Sequence, residues 1–534
     1  MMSKMPTISD PADLAWGAFP DQAPWVLDPG GIAWVAEAAR RREDAAARVP
    51  VLVTPGLLPP ARRGLVITAR LAAAVGPWAW RRRRGRASGA AGVAELSRRL
   101  RETAEALGPT FIKLGQIISS GEGLFPAELV EEFKRCRDQV PAEHFDDVRR
   151  TVEADLGQRL EDVFASFDTE PLAAASIAQV HAARLRSGED VVVKVQRPDV
   201  ARLVHTDLRV LAWLAPHLVG RIAVSALANP PALVELFADT IVEELDFRVE
   251  AQNMLDIARM LRNLDQDGYV VPRPHPSLVT RRVLVMQRVD GFKFDDVVGM
   301  REAGVDTVRV VRTAMVALME GAMIEGIFHG DLHGGNLFVL DDGRTALLDF
   351  GIVARLSDER RQAFLRLMLG ATTNDVAGQM AALRDLGALP HDTDLRAVIR
   401  DLGLDRPPID PTTLSGDEIL KEVQRVVKAL LGYGARMPKE LMLYVKNMVF
   451  LDGAIARLAP DLDILAEIAS ISMRFATRHG ERLGRELGID HRSVELDLTG
   501  VKAGFGLDAS VERLTHRDLQ ARRALIQERM RKRS

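Results

Sequence analysis

The sequence predicts an α+β fold of two lobes, the first built on strands and the second largely helical, preceded by a helical N-terminal extension. Three observations carry this. From Val93 the apolar residues recur at helical spacing; near Phe164 they change to short β-branched runs; after Gly351 they return to helical spacing almost throughout. At 534 residues the chain is too long for one compact core. Its 47% hydrophobic and 27% charged residues are those of a soluble globular protein, and a net charge of -3 argues against a whole-chain nucleic-acid binder. The single cysteine, Cys136, leaves no partner for an internal disulfide and too few thiolates for a Cys-based zinc site. It suits a reducing compartment, and its plain role is a small hydrophobe.

Residues 1–92 are Pro-, Ala- and Arg-rich and read as a partly ordered extension with one or two helices. No signal peptide is evident, because Asp10, Pro11 and Asp13 stand where an apolar core would lie. No run reaches the ~18 to 20 apolar residues that span a bilayer. The nearest, Leu65 to Trp80, is broken by Arg70, Gly76 and Pro77 and runs into Arg81-Arg82-Arg83-Arg84-Gly85-Arg86. Segment 65–86 has two readings: a strip lying on an anionic membrane surface, or a packed helix followed by a solvated basic linker. The expected location is cytoplasmic, peripheral to the inner face of the membrane under the first reading.

Residues 93–168 read as helices. Leu96, Leu100, Ala104 and Leu107 recur until Gly108-Pro109 interrupts. In Phe111-Ile112-Lys113-Leu114-Gly115-Gln116-Ile117, Lys113 and Gln116 share a helix face. Gly115 costs roughly 1 kcal/mol against Ala in a helix, so something packs closely there. On the residues alone this is a helix–helix contact with a Lys at its rim. Leu124-Phe125-Pro126 ends the segment, and helical pattern resumes over 127–138 and 145–156.

Residues 169–290 read as a small strand-bearing lobe. An alanine-rich stretch, Ala173-Ala174-Ala175-Ser176-Ile177-Ala178-Gln179, leads into a strand, a turn at Ser187-Gly188, and the β-branched run Val191-Val192-Val193-Lys194-Val195. A loop of small residues followed by a strand bearing a Lys is the arrangement that covers and contacts nucleotide phosphates. Alanine is less free than glycine at positive φ, so this loop is stiffer than a glycine-rich one. One helix is expected from Pro230 to about Leu264, with Leu233, Phe237, Ile241, Leu245 and Val249 on one side. Glu244, Asp246 and Glu250 are each candidates to hold Lys194, and spacing alone does not choose among them. Strands are expected at 269–272 and 280–289, the second ending in a hinge where Gln287 and Val289 would offer backbone to an adenine.

Residues 291–480 carry the chemistry. Asp331 and Asn336 are five apart in Phe328-His329-Gly330-Asp331-Leu332-His333-Gly334-Gly335-Asn336, and Asp349-Phe350-Gly351 begins thirteen later. An Asp beside the attacking group, an Asn for one metal ion and an Asp-Phe-Gly for the other is the order that phosphoryl transfer needs. Two short strands joined by Asp341-Asp342-Gly343-Arg344 form a hairpin between the two metal ligands. Helices are expected at 358–370, 373–387, 416–431, 438–457 and 461–479. Residues 481–534 end in a basic helix or tail with Arg529, Arg531, Lys532 and Arg533.

Together these parts resemble the UbiB family of atypical kinases, kinase-like proteins linked to ubiquinone and isoprenoid-lipid metabolism. The resemblance covers about residues 93 to 480. The family's Lys-x-Gly-Gln signature is matched by Lys113, Gly115 and Gln116, and its alanine-rich loop by Ala173 to Gln179. The strand Lys is matched by Lys194, Glu-x-Asp by Glu244 and Asp246, the helix Glu by Glu250, and the catalytic and metal positions by Asp331, Asn336 and Asp349. The resemblance implies a protein-kinase-like fold that binds ATP and Mg²⁺. Lys194, fixed by Glu250, would contact phosphates, Asn336 and Asp349 would hold metal, and Asp331 would orient the attacking hydroxyl or water. It also implies that Lys113, Gly115 and Gln116 occlude the nucleotide site, with Glu244 and Asp246 as polar contacts. The acceptor is then a small molecule or lipid rather than a peptide. Two departures stand out: Gly334 replaces the family's usual Pro, and no pair of transmembrane helices is visible. Two rivals are a small-molecule kinase of the aminoglycoside-phosphotransferase type, which shares His329 to Asn336 but lacks the Lys-x-Gly-Gln helix, and a non-catalytic ATP-dependent lipid- or partner-binding protein.

Overall fold

A computed structural model describes residues 25, 32, 34–35, 38–85, 89–119, 126–136, 140–218, 230–405, 432–490, 496–505 and 507–531, with scattered positions over 414–430. The expected helix at 416–431 lies largely outside these, as do Leu124, Phe125, Arg86, Lys532 and Arg533. The chain forms two compact units: Met1–Asn263 with Tyr269–Gly291 and Ala346–Ile352, and Leu264–Gly268 with Phe292–Thr345 and Val353–Ser534.

The first unit begins with helices α1 (Ala38–Val53), α2 (Ala61–Arg83), α3 (Gly89–Leu107), α4 (Pro109–Ser119), α5 (Ala127–Lys134) and α6 (Phe145–Leu156). Gly108, at φ +100, breaks α3 from α4 where Gly-Pro was expected to interrupt. The short α7 (Leu160–Val163) then leads into an antiparallel sheet. Its strands are β1 (Phe164–Phe167), β2 (Ala173–Ala174), β3 (Ala178–Leu185), β4 (Asp190–Gln196), β6 (Pro274–Val279) and β7 (Val283–Gln287), in the order β1-β3-β4-β7-β6 with β2 on β3. β5 (Tyr269–Val270) directly precedes β6 among the strands of the chain. The sheet thus starts at Phe164, five residues before the expected lobe boundary at 169.

Alternation along β4 decides the layering. Val191, Val193 and Val195 point to one face and form a core with Val148 and Val152 of α6, Phe164, Leu185, Val283 and Val285. Lys194 therefore points to the other face. Asp155 of α6 accepts from Thr280 Oγ1 (2.7 Å) and from Arg282 N and Nε (3.0 and 2.8 Å), tying the helix to the β6–β7 turn.

One expected helix is two. α9 (Pro230–Glu243) ends, Glu244 to Asp246 form a turn, and α10 (Phe247–Asn263) begins. The apolar residues run at helical spacing across the break, which is why they read as continuous. Asp246 enforces it: its Oδ1 accepts from Arg248 N at 3.1 Å, so it caps a new helix. A further helix, α8 (Val200–Leu218), buries Val204, Leu208, Leu211 and Ala215.

The second unit contains β8 (Phe292–Lys293), α11 (Val297–Glu302), α12 (Thr307–Glu320), β9 (Ile327–His329), β10 (Leu337–Val339), β11 (Thr345–Leu347, which leads the chain back to the first unit) and β12 (Val353–Arg355). α13 (Asp358–Thr372), α14 (Val376–Asp385), α15 (Leu395–Leu402), α16 (Lys439–Leu458), α17 (Ile464–Leu487), α18 (Leu498–Gly504) and α19 (His516–Arg531) follow. The expected turn is present: Leu340 N donates to Arg344 O at 2.8 Å, and Gly343 takes φ +83. α15 was not expected, and α17 runs to Leu487 rather than 479, ending where Gly488 turns left-handed. Glu320, fully buried at the end of α12, accepts from Arg474 (2.9 Å) and pairs with His479 (3.0 Å), which fixes α17 on α12.

The close packing expected at Gly115 is with Phe133 of α5. A Cβ at Gly115 would lie 2.5 Å from Phe133 Cδ1. Gly115→Leu should lower stability by about 1–3 kcal/mol in urea titration. Adding Phe133→Leu should recover part of that loss.

Candidate active site

In the first unit the site is organised by one buried ammonium. Lys194 Nζ lies 2.7 Å from Glu250 Oε1, 3.4 Å from Asp349 Oδ2, and 5.4 Å from the centre of the Phe247 ring. Glu250 and Phe247 stand one turn apart or less at the start of α10, so the Asp246 cap also sets their position against β4. α10 grips the Asp-Phe-Gly segment as well: Asn253 Nδ2 donates to Phe350 O at 2.8 Å, and Phe350 N points at Glu250 Oε1 at 3.4 Å.

Two carboxylates compete for this one cation. Burial alone would lower the Lys194 pKa; the charges of Asp349 and Glu250 outweigh it and hold it above the ordinary value. Burial is the main cause that pushes Glu250 up to about 7; Asp349 adds to it, and Lys194 opposes it. Glu250 is thus the enclosed anchor, while the Asp349 side chain remains 43% exposed.

Lys113 of α4 reaches the same region. Its Nζ lies 2.8 Å from Glu244 Oε1, in the turn between α9 and α10. Glu244 in turn packs against Gly351, where a Cβ would sit 3.2 Å from both Glu244 Cγ and Asp349 Oδ1. Asp246 is directed elsewhere: both its oxygens are held by Arg248, at 2.9 and 2.6 Å. Of the two carboxylates named as contacts for the Lys-x-Gly-Gln helix, Glu244 meets Lys113, and Asp246 caps α10. Gln116 lies half-buried on α4.

The alanine-rich loop is a tight hairpin. Ala173 pairs with Val180 and Ala174 with Gln179, and Ala175 N donates to Ala178 O at 2.8 Å, with Ser176 and Ile177 buried at its tip. Arg197 staples it from outside, donating to Ala175 O (3.0 Å), Pro141 O (2.9 Å) and Glu143 (2.6 Å). The Gln179 amide is committed to Glu143 N (2.8 Å) and His181 (2.8 Å). At the expected hinge, Gln287 N donates to Arg273 O at 2.9 Å, and Val289 is half-buried beyond it.

In the second unit, β9 and β12 pair at His329 and Val353 and hold the start of the loop that carries Asp331 and Asn336. His329 Nδ1 accepts from Asp331 N at 3.1 Å. Asn336 Nδ2 donates to Asp331 O at 3.1 Å, which commits the donor end of that amide. Gly334 opens the short turn that ends at Asn336, with His333 Nδ1 accepting from Gly335 N at 3.1 Å. Sequence reasoning missed two residues of α16. Lys446 forms an ion pair with Asp331, and the fully buried Asn447 bridges His329 O and Leu332 N. The signal was present: they are the polar pair inside the apolar run Leu441 to Leu451.

Each unit carries an oxygen donor of the kind taken by Mg²⁺, a hard cation held by one or two carboxylates with substrate phosphates. Asp349 presents a half-exposed carboxylate, and Asn336 has an amide oxygen left after its Nδ2 is committed. Among the described residues, no group of three or more His, Cys, Asp or Glu forms a self-sufficient metal cage.

Residues 135–383 match the ABC1 atypical kinase-like domain. An uncharacterised protein of Mycobacterium tuberculosis is 37% identical over 384 residues, covering 70% of this chain and 77% of its own length. A probable protein kinase UbiB of Pseudomonas paraeruginosa is 32% identical over 408 residues, covering 74% of each. The chain belongs to the ABC1/UbiB family of atypical kinase-like proteins. An uncharacterised aarF domain-containing chloroplastic protein kinase of Arabidopsis thaliana is also similar, at 32% over 400 residues, 69% of this chain and 73% of its own. Membership assigns the protein-kinase-like fold and places the chain among kinase-type enzymes. Lys113, Gly115 and Gln116 lie upstream of the matched domain.

Removing the Lys194 cation would leave Glu250 buried beside Asp349, so the carboxyl should bind a proton and its pKa should rise further. The folded state then holds a proton that the unfolded chain releases, and stability falls as pH rises. The destabilisation caused by Lys194→Met should therefore be greater at pH 8 than at pH 6, with a slope of at most about 1.4 kcal/mol per pH unit in denaturant titrations.

Proposed function

We propose that this chain is an atypical kinase or ATPase that binds MgATP and supports quinone or isoprenoid-lipid metabolism, rather than phosphorylating peptides. The observation that carries the reading is Lys194 held between buried Glu250 and half-exposed Asp349. A strand lysine costs too much to bury unless its charge is paired, and here the pairing leaves one carboxylate facing outward. Lys194 would hold the α- and β-phosphates, Asn336 and Asp349 the metal, and Asp331 the attacking hydroxyl or water. Bound Mg²⁺ supplies the positive charge that neutralises charge developing on the phosphoryl oxygens. The ion pair of Lys113 with Glu244, one contact from Gly351, supports a helical cover on this region. That cover speaks against an open peptide groove and against the aminoglycoside-phosphotransferase reading.

A lipid-facing role is supported by α2. Its 23 residues include no Asp or Glu, and Arg81, Arg82 and Arg83 close its last turn. Its outer face shows Leu65 and Trp80, 70% and 52% exposed, and the preceding loop shows Leu57 and Leu58, 100% and 84% exposed. Apolar side chains turned outward beside arginines fit an anionic lipid surface. No helix among the described residues is long and apolar enough to cross a membrane.

MgATP should raise the melting temperature, and Asp331→Asn should cut phosphate release by about 100-fold or more while keeping that shift. Unchanged turnover would remove Asp331 from its role; no shift in the parent chain would defeat every nucleotide-dependent reading. Leu57→Glu with Leu58→Glu should reduce co-sedimentation with phosphatidylglycerol vesicles several-fold. Equal binding to neutral phosphatidylcholine vesicles would refute the charge-matched surface.

A further inference from the structure

We infer that Lys446 is the positioning residue of the phosphoryl-transfer step, holding the Asp331 carboxylate from outside the catalytic loop. This rests on the role proposed for Asp331. The loop from Phe328 to Asn336 contains no Lys or Arg. Its one carboxylate is matched instead by α16, more than a hundred residues later in the chain. Lys446 pairs with Asp331 Oδ1, and both side chains are mostly enclosed, at 19% and 18% exposure.

The division of labour on α16 separates this from plain anchoring. Asn447 does the structural work: fully buried, it accepts from Leu332 N at 3.1 Å and donates to His329 O, clamping the backbone on both sides of Gly330-Asp331. Lys446 acts on the carboxylate itself. Partly enclosed ion pairs contribute only about 1 kcal/mol to stability, so this lysine adds little to an anchor already made. What it supplies is direction. With one carboxylate oxygen held, the aspartate keeps its rotamer, and the attacking group meets a fixed acceptor rather than a swinging one. Phosphoryl transfer depends mainly on such positioning, since its loose transition state needs little covalent help.

The test is steady-state phosphate release by the full chain with MgATP. Lys446→Met should lower kcat by about 10- to 100-fold while KM for MgATP stays within about twofold. Lys446→Arg should recover most of the loss. Asp331→Asn combined with Lys446→Met should be no slower than Asp331→Asn alone, because a residue acting through Asp331 has nothing left to position. The MgATP-induced melting shift of Lys446→Met should equal that of the parent. A kcat within about twofold of the parent, a raised KM at unchanged kcat, an arginine variant as slow as the methionine variant, or additive losses in the double variant would each overturn the inference. A parent chain that releases no phosphate would instead overturn the function on which it rests.

Discussion

A buried ammonium with two carboxylates around it governs the first unit. Lys194 projects from the face of β4 opposite the valine core, so an element carrying a carboxylate has to pack there, and α10 does. An unpaired charge in that position would cost several kcal/mol. Once α10 is in place, its other side chains are placed too: Phe247 lies under the ammonium, and Asn253 takes the Phe350 carbonyl. The Asp-Phe-Gly segment thus rests on a helix whose location was decided by the lysine.

The two units use the same device. Each presents one charged side chain of the candidate site and draws its partner from a different element: Glu250 for Lys194 in the first, Lys446 for Asp331 in the second. Neutral amides then secure the nearby backbone, Asn253 at Phe350 and Asn447 at His329 and Leu332. Charge is assigned to orientation and amide to anchoring. The alanine-rich hairpin follows a related rule. Arg197 ties it down, its guanidinium donating to Ala175 O and to Glu143 and Pro141 O beside it.

Much of this was legible in the residues. The β-branched run from Val191 to Val195 placed β4 and its lysine, the Asp342-Gly343 pair placed a turn, and Gly115 announced a close neighbour whose identity, Phe133, lies outside its own helix. What escaped was mostly non-local. Asp246 sits in an unbroken apolar rhythm, and only its bond to Arg248 N shows that the helix stops there. Lys446 and Asn447 stand out as a polar pair in an apolar run, but what they meet, the loop at 328–336, lies more than a hundred residues away in the chain. α8 is different: Val204, Leu208, Leu211 and Ala215 recur at helical spacing, so its signal was local and simply unread. The choice of Glu250 over Glu244 and Asp246 came from family likeness, and three separate environments now distinguish them: a lysine of the sheet, a lysine of the extension, and a neighbouring arginine.

The cap at Asp246 has a consequence for how this chain can vary in length. Glu250 lies one helical turn beyond it, and each residue of an α-helix turns the next by about 100°. One residue inserted or deleted between them would swing the carboxylate off the lysine, and no loop intervenes to absorb the change. The five residues from Asp246 to Glu250 therefore act as a ruler. The Asp341–Arg344 turn, exposed at the end of two short strands, has no such duty, and lineages descended from this chain are free to lengthen it.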